Sequence, residues 1–499
     1  MKFLTFFILL FALNINSVVY AQNSTPELDV SVNETTRHIR FLASDELLGR
    51  MTGEQGNQAA ARYIAEHFRE YGLKSFDDHQ DYYQSLPLYQ NIVNDRSQIV
   101  IGSDTLHHRQ HVVPLSGSAQ LFSAPVVYVE NMLAADGTLN PNISVEGLKG
   151  KILVTEFGDG TDGGFQAQFR NSVIKRALIA KTEAVGLIER YQGNTQFGLI
   201  ANYLMQPRLT RRDLTSEVVF NHFLVDSGSL GTTFTQDVRF HITSKGVEQK
   251  QVIANNVVGY IEGSDPVLKN DYITLMAHFD HIGARMRSGI SPADTINNGA
   301  RDNGMGVVGL LVAAKGLAQN PPKRSVIILA VNAEEAGMHG SIHFVANPPV
   351  DLRKIKFVMN VDSGGYNDTS LITLVGHGRT TGDAVIAEAV KAVGLTVLPD
   401  PSPEQNLFNR SDNVHFSRAG VPAPTFSPGF TAFNEELMKF YHQPADEADE
   451  LFDFEYLNNF ARAYAHTTRA LANTSIELKW VSGDDYESAY NKLHGISVE

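Results

Sequence analysis

The chain has 499 residues, 43% of them hydrophobic and 19% charged, a balance that describes a folded globular protein too long for one ordinary core. Its formal net charge of −14 argues against nucleic acid as a partner, since that role needs a basic face. The absence of cysteine excludes disulfides, thiolate metal ligands and a cysteine nucleophile, so any metal must be held by His, Asp and Glu.

In chain order, the start MKFLTFFILLFALNINSVVYA carries Lys2, an apolar run from about Phe3 to Leu13, and small-residue positions at Val19 and Ala21. This is the pattern of a secretory signal peptide, residues 1–21, with cleavage expected after Ala21. The apolar run is well short of the ~20 residues that a bilayer span needs. No other segment is apolar enough to cross, so no membrane anchor is expected after cleavage. Export without cysteine fits a bacterial periplasmic or secreted protein.

Residues 22–118 read as the first part of the main domain. Within them, HIRFLASDELLGRMTGEQGNQAAARYIAEHFREYGL predicts a helix, a glycine-rich loop and a second helix. Ala60, Ile64, Phe68 and Tyr71 recur at helical spacing in the latter, and Gly72 closes it. Short strands are expected from about residue 80. From 119 to 232 the texture changes: APVVYV and GKILVTEF are strand-like, SVIKRALIAKTEA is helical, and VGLIERY is a further strand. This block holds no cluster of ligand-type residues and reads as a β-rich insert in a host domain, either a lid over substrate or a stability module.

Residues 233–475 alternate apolar strands (NNVVGYIEG, DYITLMAHF, RSVIILAVNA, IKFVMNVD, SLITLVG, APTFSP) with helices (GMGVVGLLVAAKGLAQ, GDAVIAEAVKAVG, FEYLNNFARAYAHTTRALAN). The fold class expected is α/β, a mostly parallel sheet covered on both faces, with the inserted domain attached. The tail, 476–499, carries the single tryptophan, Trp480, to which the sequence assigns no role.

In open α/β sheets ligands bind beyond the carboxyl ends of the strands, and the chemistry-bearing residues fall there. One strand ends in His278 and Asp280, followed by His281. A loop delivers Asp302 just ahead of a helix. The next strand ends in adjacent Glu334 and Glu335, another ends in Asp362, and a later loop presents His442. Singly, each has an ordinary explanation: a hydrogen-bonded structural histidine, a solvated pair of glutamates, an N-cap aspartate, a surface loop. Those explanations do not account for five separate strand ends or loops all carrying a ligand type. Two zinc ions sharing a bridging carboxylate would use two histidines, two aspartates and one glutamate, and would lower the pKa of a bound water to around 7. A further carboxylate outside the ligand set is then wanted as general base, and the Glu334–Glu335 pair suits that division. Asp280, two residues after His278, can accept the imidazole's other N–H and fix its tautomer.

The segments AHFDHIG, GARDNGMG, NAEEAG, NVDSGG, RSDNVHF and YHQPADE, in this order, resemble the co-catalytic zinc aminopeptidases of secreted bacterial type, a family that also contains glutamate carboxypeptidases and glutaminyl cyclases. The likeness covers about 250–475, and FLASDELLGR is similar to the family's N-terminal segment. The insert is similar to the protease-associated domain that several members carry. The resemblance implies one zinc held by His278 and Asp362 and a second by Glu335 and His442, with Asp302 bridging, Glu334 as general base and Asp280 orienting His278. Other divalent metals suit the same ligands. It places His281 outside the ligand set and implies a cis peptide at Asp302–Asn303. Asn413 stands where the family commonly has histidine, and Met305 is bulkier than usual there.

The function implied is a metal-dependent aminopeptidase acting on peptides. The alternatives are a carboxypeptidase with Arg410 next to the substrate carboxylate, a single-zinc glutaminyl cyclase, and a non-catalytic binding protein on the same scaffold. The full ligand set weighs against the last two.

Overall fold

Strand Tyr272–His278 shows in miniature why the main sheet is covered on both sides. Ile273, Leu275 and Ala277 enter one hydrophobic core, and Met276 enters the core on the opposite face. Its neighbour Ser325–Val331 divides the same way, Val326, Ile328 and Ala330 to one side and Ile327, Leu329 and Val331 to the other. Side chains alternate along a strand, so a run that is apolar throughout needs a cover on each face.

The protein is described by a computed structural model over residues 25–79, 81–94, 96–160, 164–211, 220–235, 238–284 and 294–497. The expected signal peptide, 1–21, lies outside these residues. The main sheet has eight strands, in the order Tyr83–Ser85, Asn255–Ile261, Ser325–Val331, Tyr272–His278, Ile355–Val361, Thr425–Pro428, Leu371–Val375 and Thr396–Pro399. Its centre is parallel, from Ser325–Val331 through Tyr272–His278 and Ile355–Val361 to Thr425–Pro428, and Leu371–Val375 pairs parallel with Thr396–Pro399. The first two strands, and the pairing of Leu371–Val375 with Thr425–Pro428, are antiparallel, so the sheet is mixed.

One face is covered by helices Val32–Leu42, Gln55–Glu70, Met305–Gln319 and Phe454–Asn473, whose apolar residues form the larger core with the sheet. The last of these starts at an Asp453 cap that accepts from the Tyr456 N–H. Its Tyr464 hydroxyl accepts from the Met276 N–H and donates to the Met359 carbonyl, pinning two central strands. Phe344 of His339–Ala346 and Phe416 of Asn413–Arg418 cover the other face.

The second sheet also has eight strands and draws on more chain than the 119–232 interval expected from sequence. Gln120–Tyr128, Ile152–Glu156, Gly186–Tyr191 and His222–Asp226 run parallel, with helix Gly164–Ile179 between the second and third of them. Arg239–Ser244 then pairs antiparallel with both Gln120–Tyr128 and Gln98–Ile101, so strands before and after the interval close the same sheet. A third sheet joins the two bodies: Leu88–Val93 lies between Val247–Val252 and Arg208–Arg211. Leu88 packs there with Leu86, Ala254 and Ala333, and Leu209 of the inserted region lies against the group.

The tail returns to the body. Trp480 is buried beside Phe408 and Tyr486, and the Arg379 guanidinium lies over its ring while pairing with Asp484 at 2.6 Å. Among the described residues, no helix is long and apolar enough to cross a membrane.

Candidate metal centre and active site

The parallel strands deliver their carboxyl ends to one place. His278 is the last residue of its strand, Asp362 follows Ile355–Val361, and Glu334 and Glu335 lie three and four residues beyond Ser325–Val331. Asp302 sits in an irregular turn ahead of helix Met305–Gln319, and the Asp302–Asn303 peptide is cis, as the resemblance implies. Gly299 makes that turn possible. It has φ of 63°, and a Cβ there would come within 2.3 Å of the Asp302 carbonyl and 2.7 Å of the His281 ring. Ala333, just before the glutamates, and His442 also adopt left-handed φ, 60° and 55°. Non-glycine residues held so cost of order 1–3 kcal/mol each, and both here set the direction of a site residue.

Distances sort the side chains into two groups. His278 Nε2 lies 3.3 Å from Asp302 Oδ1 and 3.4 Å from Asp362 Oδ1. His442 Nε2 lies 3.3 Å from Asp302 Oδ2 and 3.3 Å from Glu335 Oε2. Two ligands on one tetrahedral zinc, with bonds of 2.0–2.2 Å, are roughly 3.3–3.6 Å apart. All four spacings fit, and the two oxygens of Asp302 are divided between the groups. His281 joins the second group differently, with Nδ1 2.8 Å from Glu335 Oε1 and 4.0 Å from Asp302 Oδ2.

The electrostatics ask for cations. Asp280, Asp302, Glu334, Glu335, Asp362 and Asp412 converge here, and among the described residues none of them pairs with a lysine or arginine. Burial depresses the imidazoles of His278 and His442, but the carboxylates beside them win, raising His278 well above its usual value and His442 to about 10. Burial and Asp302 push Glu335 up, and His281 and His442 pull it down to about 2. Burial raises Asp412 to about 7 and raises Glu334 well above the carboxylate range. Without metal, protons on imidazoles are what balances this charge. Divalent ions would balance it and leave the imidazoles neutral, the form that ligates. His281 Nδ1 and Glu335 Oε1, 2.8 Å apart, are both buried without an aligned hydrogen bond, and so is His281 Nε2.

Asp280 departs from the role expected of it. Its carboxylate is 3.8 Å from His278 Nδ1, whereas its own backbone carbonyl, at 3.1 Å, receives the imidazole. The carboxylate instead accepts from the N–H groups of Glu334 and Glu335, at 3.1 and 3.3 Å, and from Thr52 Oγ1. Only Phe279 separates His278 from Asp280, which brings the carbonyl to the ring and turns the carboxylate under the glutamate loop.

Several residues of the sequence motifs support the site from behind. Asp446, from YHQPADE, accepts from the N–H groups of Arg301 and Asp302, and pairs with the buried Arg301 guanidinium. Arg50, from FLASDELLGR, is fully buried and donates to the carbonyls of Phe279, Asn298 and Gly299, so it braces two ligand-bearing loops at once. Their motif positions were the available signal; the partners that tie them to the site lie more than a hundred residues away in the chain and leave no local pattern. The cleft over the site is walled by Leu407, Phe430, Phe433, Leu437 and Tyr441, with Arg410 at its exposed rim.

A mixed α/β sheet with these paired clusters at its strand ends defines the zinc-peptidase fold. Residues 256–468 match the model of peptidase family M28. It is 26% identical over 204 residues to Aminopeptidase YwaD of Bacillus subtilis, an alignment covering 40% of each protein. It is 30% identical over 187 residues to a probable leucine aminopeptidase 2 of Aspergillus oryzae, covering 35% of this chain and 34% of that protein. The chain thus spans well under half the length of these two relatives. Among solved structures, the aminopeptidase from Aneurinibacillus sp. strain AM-1 superposes with a TM-score of 0.51 at 19% identity, over 88% of this chain and 93% of that one, and it shares the fold.

Proposed function

We propose that the protein is an exported metal-dependent exopeptidase, an aminopeptidase that removes N-terminal residues from peptides. The observation that carries this reading is the pair of imidazole–carboxylate groups sharing Asp302, one with His278 and Asp362 and the other with Glu335 between His281 and His442, with Glu334 lining the same cleft outside both. His278, Asp362 and Asp302 would hold one zinc, and His442, Glu335 and Asp302 the other. The pair would supply a Lewis acid for the scissile carbonyl and an acidified water near neutral pH.

Glu334 is the proton carrier. Its carboxyl lines the cleft outside both ligand groups, placed to collect a proton from water and pass it to a leaving amine. Asp280 fixes the backbone of both glutamates, so Glu334 faces the cleft while Glu335 faces His442. Asp302, Glu335 and Asp362, which line the cleft, provide the negative surround that a free α-amine needs. The apolar cleft walls exclude water from around the substrate. The inserted domain is read as protease-associated-like. Residues 1–21 are read as a cleaved signal, which places the protein in the periplasm or outside the cell.

The test is mass spectrometry of unblocked and N-acetylated peptides incubated with purified protein, with and without a chelator. Stepwise N-terminal loss from unblocked peptides only, stopped by chelation, is expected. Loss from the C-terminus would overturn the polarity and implicate Arg410. No cleavage by metal-replete protein would overturn the peptidase reading.

A further inference from the structure

The third imidazole of the site, His281, is left over from the ligand sets above. We propose that His281 is a positioning residue for Glu335. Its Nδ1–H donates to Oε1, which turns Oε2 toward His442 and Asp302. The inference rests on the metal-centre reading of the preceding section.

Spacing separates a ligand from a support. The four imidazole–carboxylate spacings assigned to the metals are 3.3 or 3.4 Å. His281 Nδ1 matches none of them: it is 4.0 Å from Asp302 Oδ2, too far for a shared tetrahedral ion, and 2.8 Å from Glu335 Oε1, the length of a charge-assisted N–H···O bond. The two Glu335 oxygens are therefore divided, Oε1 facing His281 and Oε2 facing His442.

The ring is built to stay put. His281 is buried, its backbone N–H donates to the Arg50 carbonyl, and Gly299 packs so tightly on it that an added Cβ would lie 2.7 Å from ring carbons. The His442 ring meets it edge-on at 5.7 Å. Neither ring nitrogen has an aligned hydrogen bond as the site stands, and Oε1 of Glu335, also unsatisfied, lies 2.8 Å from Nδ1. A rotation of the Glu335 carboxylate that aligns Oε1 with the N–H would satisfy both atoms. Holding a ligating carboxylate through its free oxygen is worth 10–100-fold in metal affinity.

The experiment uses the full mature chain, stripped and reloaded with Zn2+ or Co2+, with two dissociation constants read by chelator competition. His281→Ala is expected to weaken one of the two metals by about 10–100-fold and leave the other unchanged. At full Co2+ loading its visible absorption should match wild type, because the ligating atoms are the same. His281→Asn, which places an amide N–H near the position of Nδ1, should recover most of the lost affinity and covers the case in which the alanine variant fails to fold. A changed Co2+ band at full loading would make His281 a ligand and overturn the proposal. So would unchanged affinities in His281→Ala, or no recovery in a folded His281→Asn. Wild-type protein that binds no metal would overturn the metal-centre reading and this assignment with it. Two tight metals in wild type and in His281→Ala would overturn only the assignment.

Discussion

Asp446 holds Asp302 from behind: its Oδ2 accepts from the Asp302 backbone N–H at 3.1 Å, while Oδ1 takes the Arg301 N–H at 2.9 Å. The residue that would bridge two metals is thus fixed by its main chain, and its carboxylate is left to the site. Arg301 completes the arrangement, buried against the Phe440 ring at 3.8 Å and donating to the Leu451 carbonyl. Removing one partner of a buried pair costs about 3–5 kcal/mol. Asp446→Ala should therefore lower the melting temperature by several degrees and lose metal on dialysis that wild type retains. A variant with wild-type Tm and full metal content would show that the turn holds itself.

Glu334→Gln should lower kcat by 10²–10⁴-fold or more with both metals still bound, because Glu334 belongs to neither ligand group. Since burial already favours the uncharged form of this side chain, the amide should keep or raise thermal stability. Metal analysis, Tm and turnover on one preparation decide the matter. Retained turnover in a metal-replete variant would remove Glu334 from the role.

Chelation should destabilise the fold as well as stop catalysis. A ligand at 1,000 times its dissociation constant adds about 4.1 kcal/mol to the folded state, and here it also relieves repulsion among buried carboxylates. Scanning calorimetry with and without chelator should show a drop in Tm that added Zn2+ reverses. Equal Tm values would mean the carboxylates are tolerated without cations.

Far from this site, Glu27 is buried against Arg469 and His466. Burial pushes its pKa up, yet those two partners bring it down to about 2 from 4.5. A depressed carboxylate contributes stability that is fully present above its unfolded pKa, near 4.5, and is lost as pH falls through about 2. The Tm gap between wild type and Glu27→Gln should be constant above pH 5 and shrink steadily toward pH 2. A gap independent of pH would mean the contact is one of packing alone.

Much of this is legible in the sequence. Helix Phe454–Asn473 and strands Tyr272–His278 and Ile355–Val361 follow from apolar periodicity and clear end signals, and these long elements build the larger core. His278, Asp302, Glu335, Asp362 and His442 fall together because strand ends of a parallel sheet converge, a rule that needs no pairing information. The extent of the second sheet was hidden. Arg239–Ser244 joins it through antiparallel pairing with Gln120–Tyr128, more than a hundred residues earlier, and its composition alone says nothing of that partner. The same holds for Asp280, whose carboxylate serves a loop that sequence distance separates from it, and for Trp480, whose cluster with Phe408 exists only once the tail has folded back.

The small sheet between the two bodies has a consequence for how such a protein can change over generations. Arg208–Arg211 belongs to the inserted region, yet it completes a sheet with Leu88–Val93, Leu209 rests on the cluster holding Ala333, and Arg211 donates to the His339 carbonyl beyond the glutamate loop. An exchange of inserts between relatives would transplant part of the wall behind Glu334. Chimaeras cut at the ends of the second sheet, Gln98 and Ser244, should then lose turnover unless the faces of Leu88 and Ala333 are exchanged as well. Insert and host are bound to diversify in step, as one inherited unit.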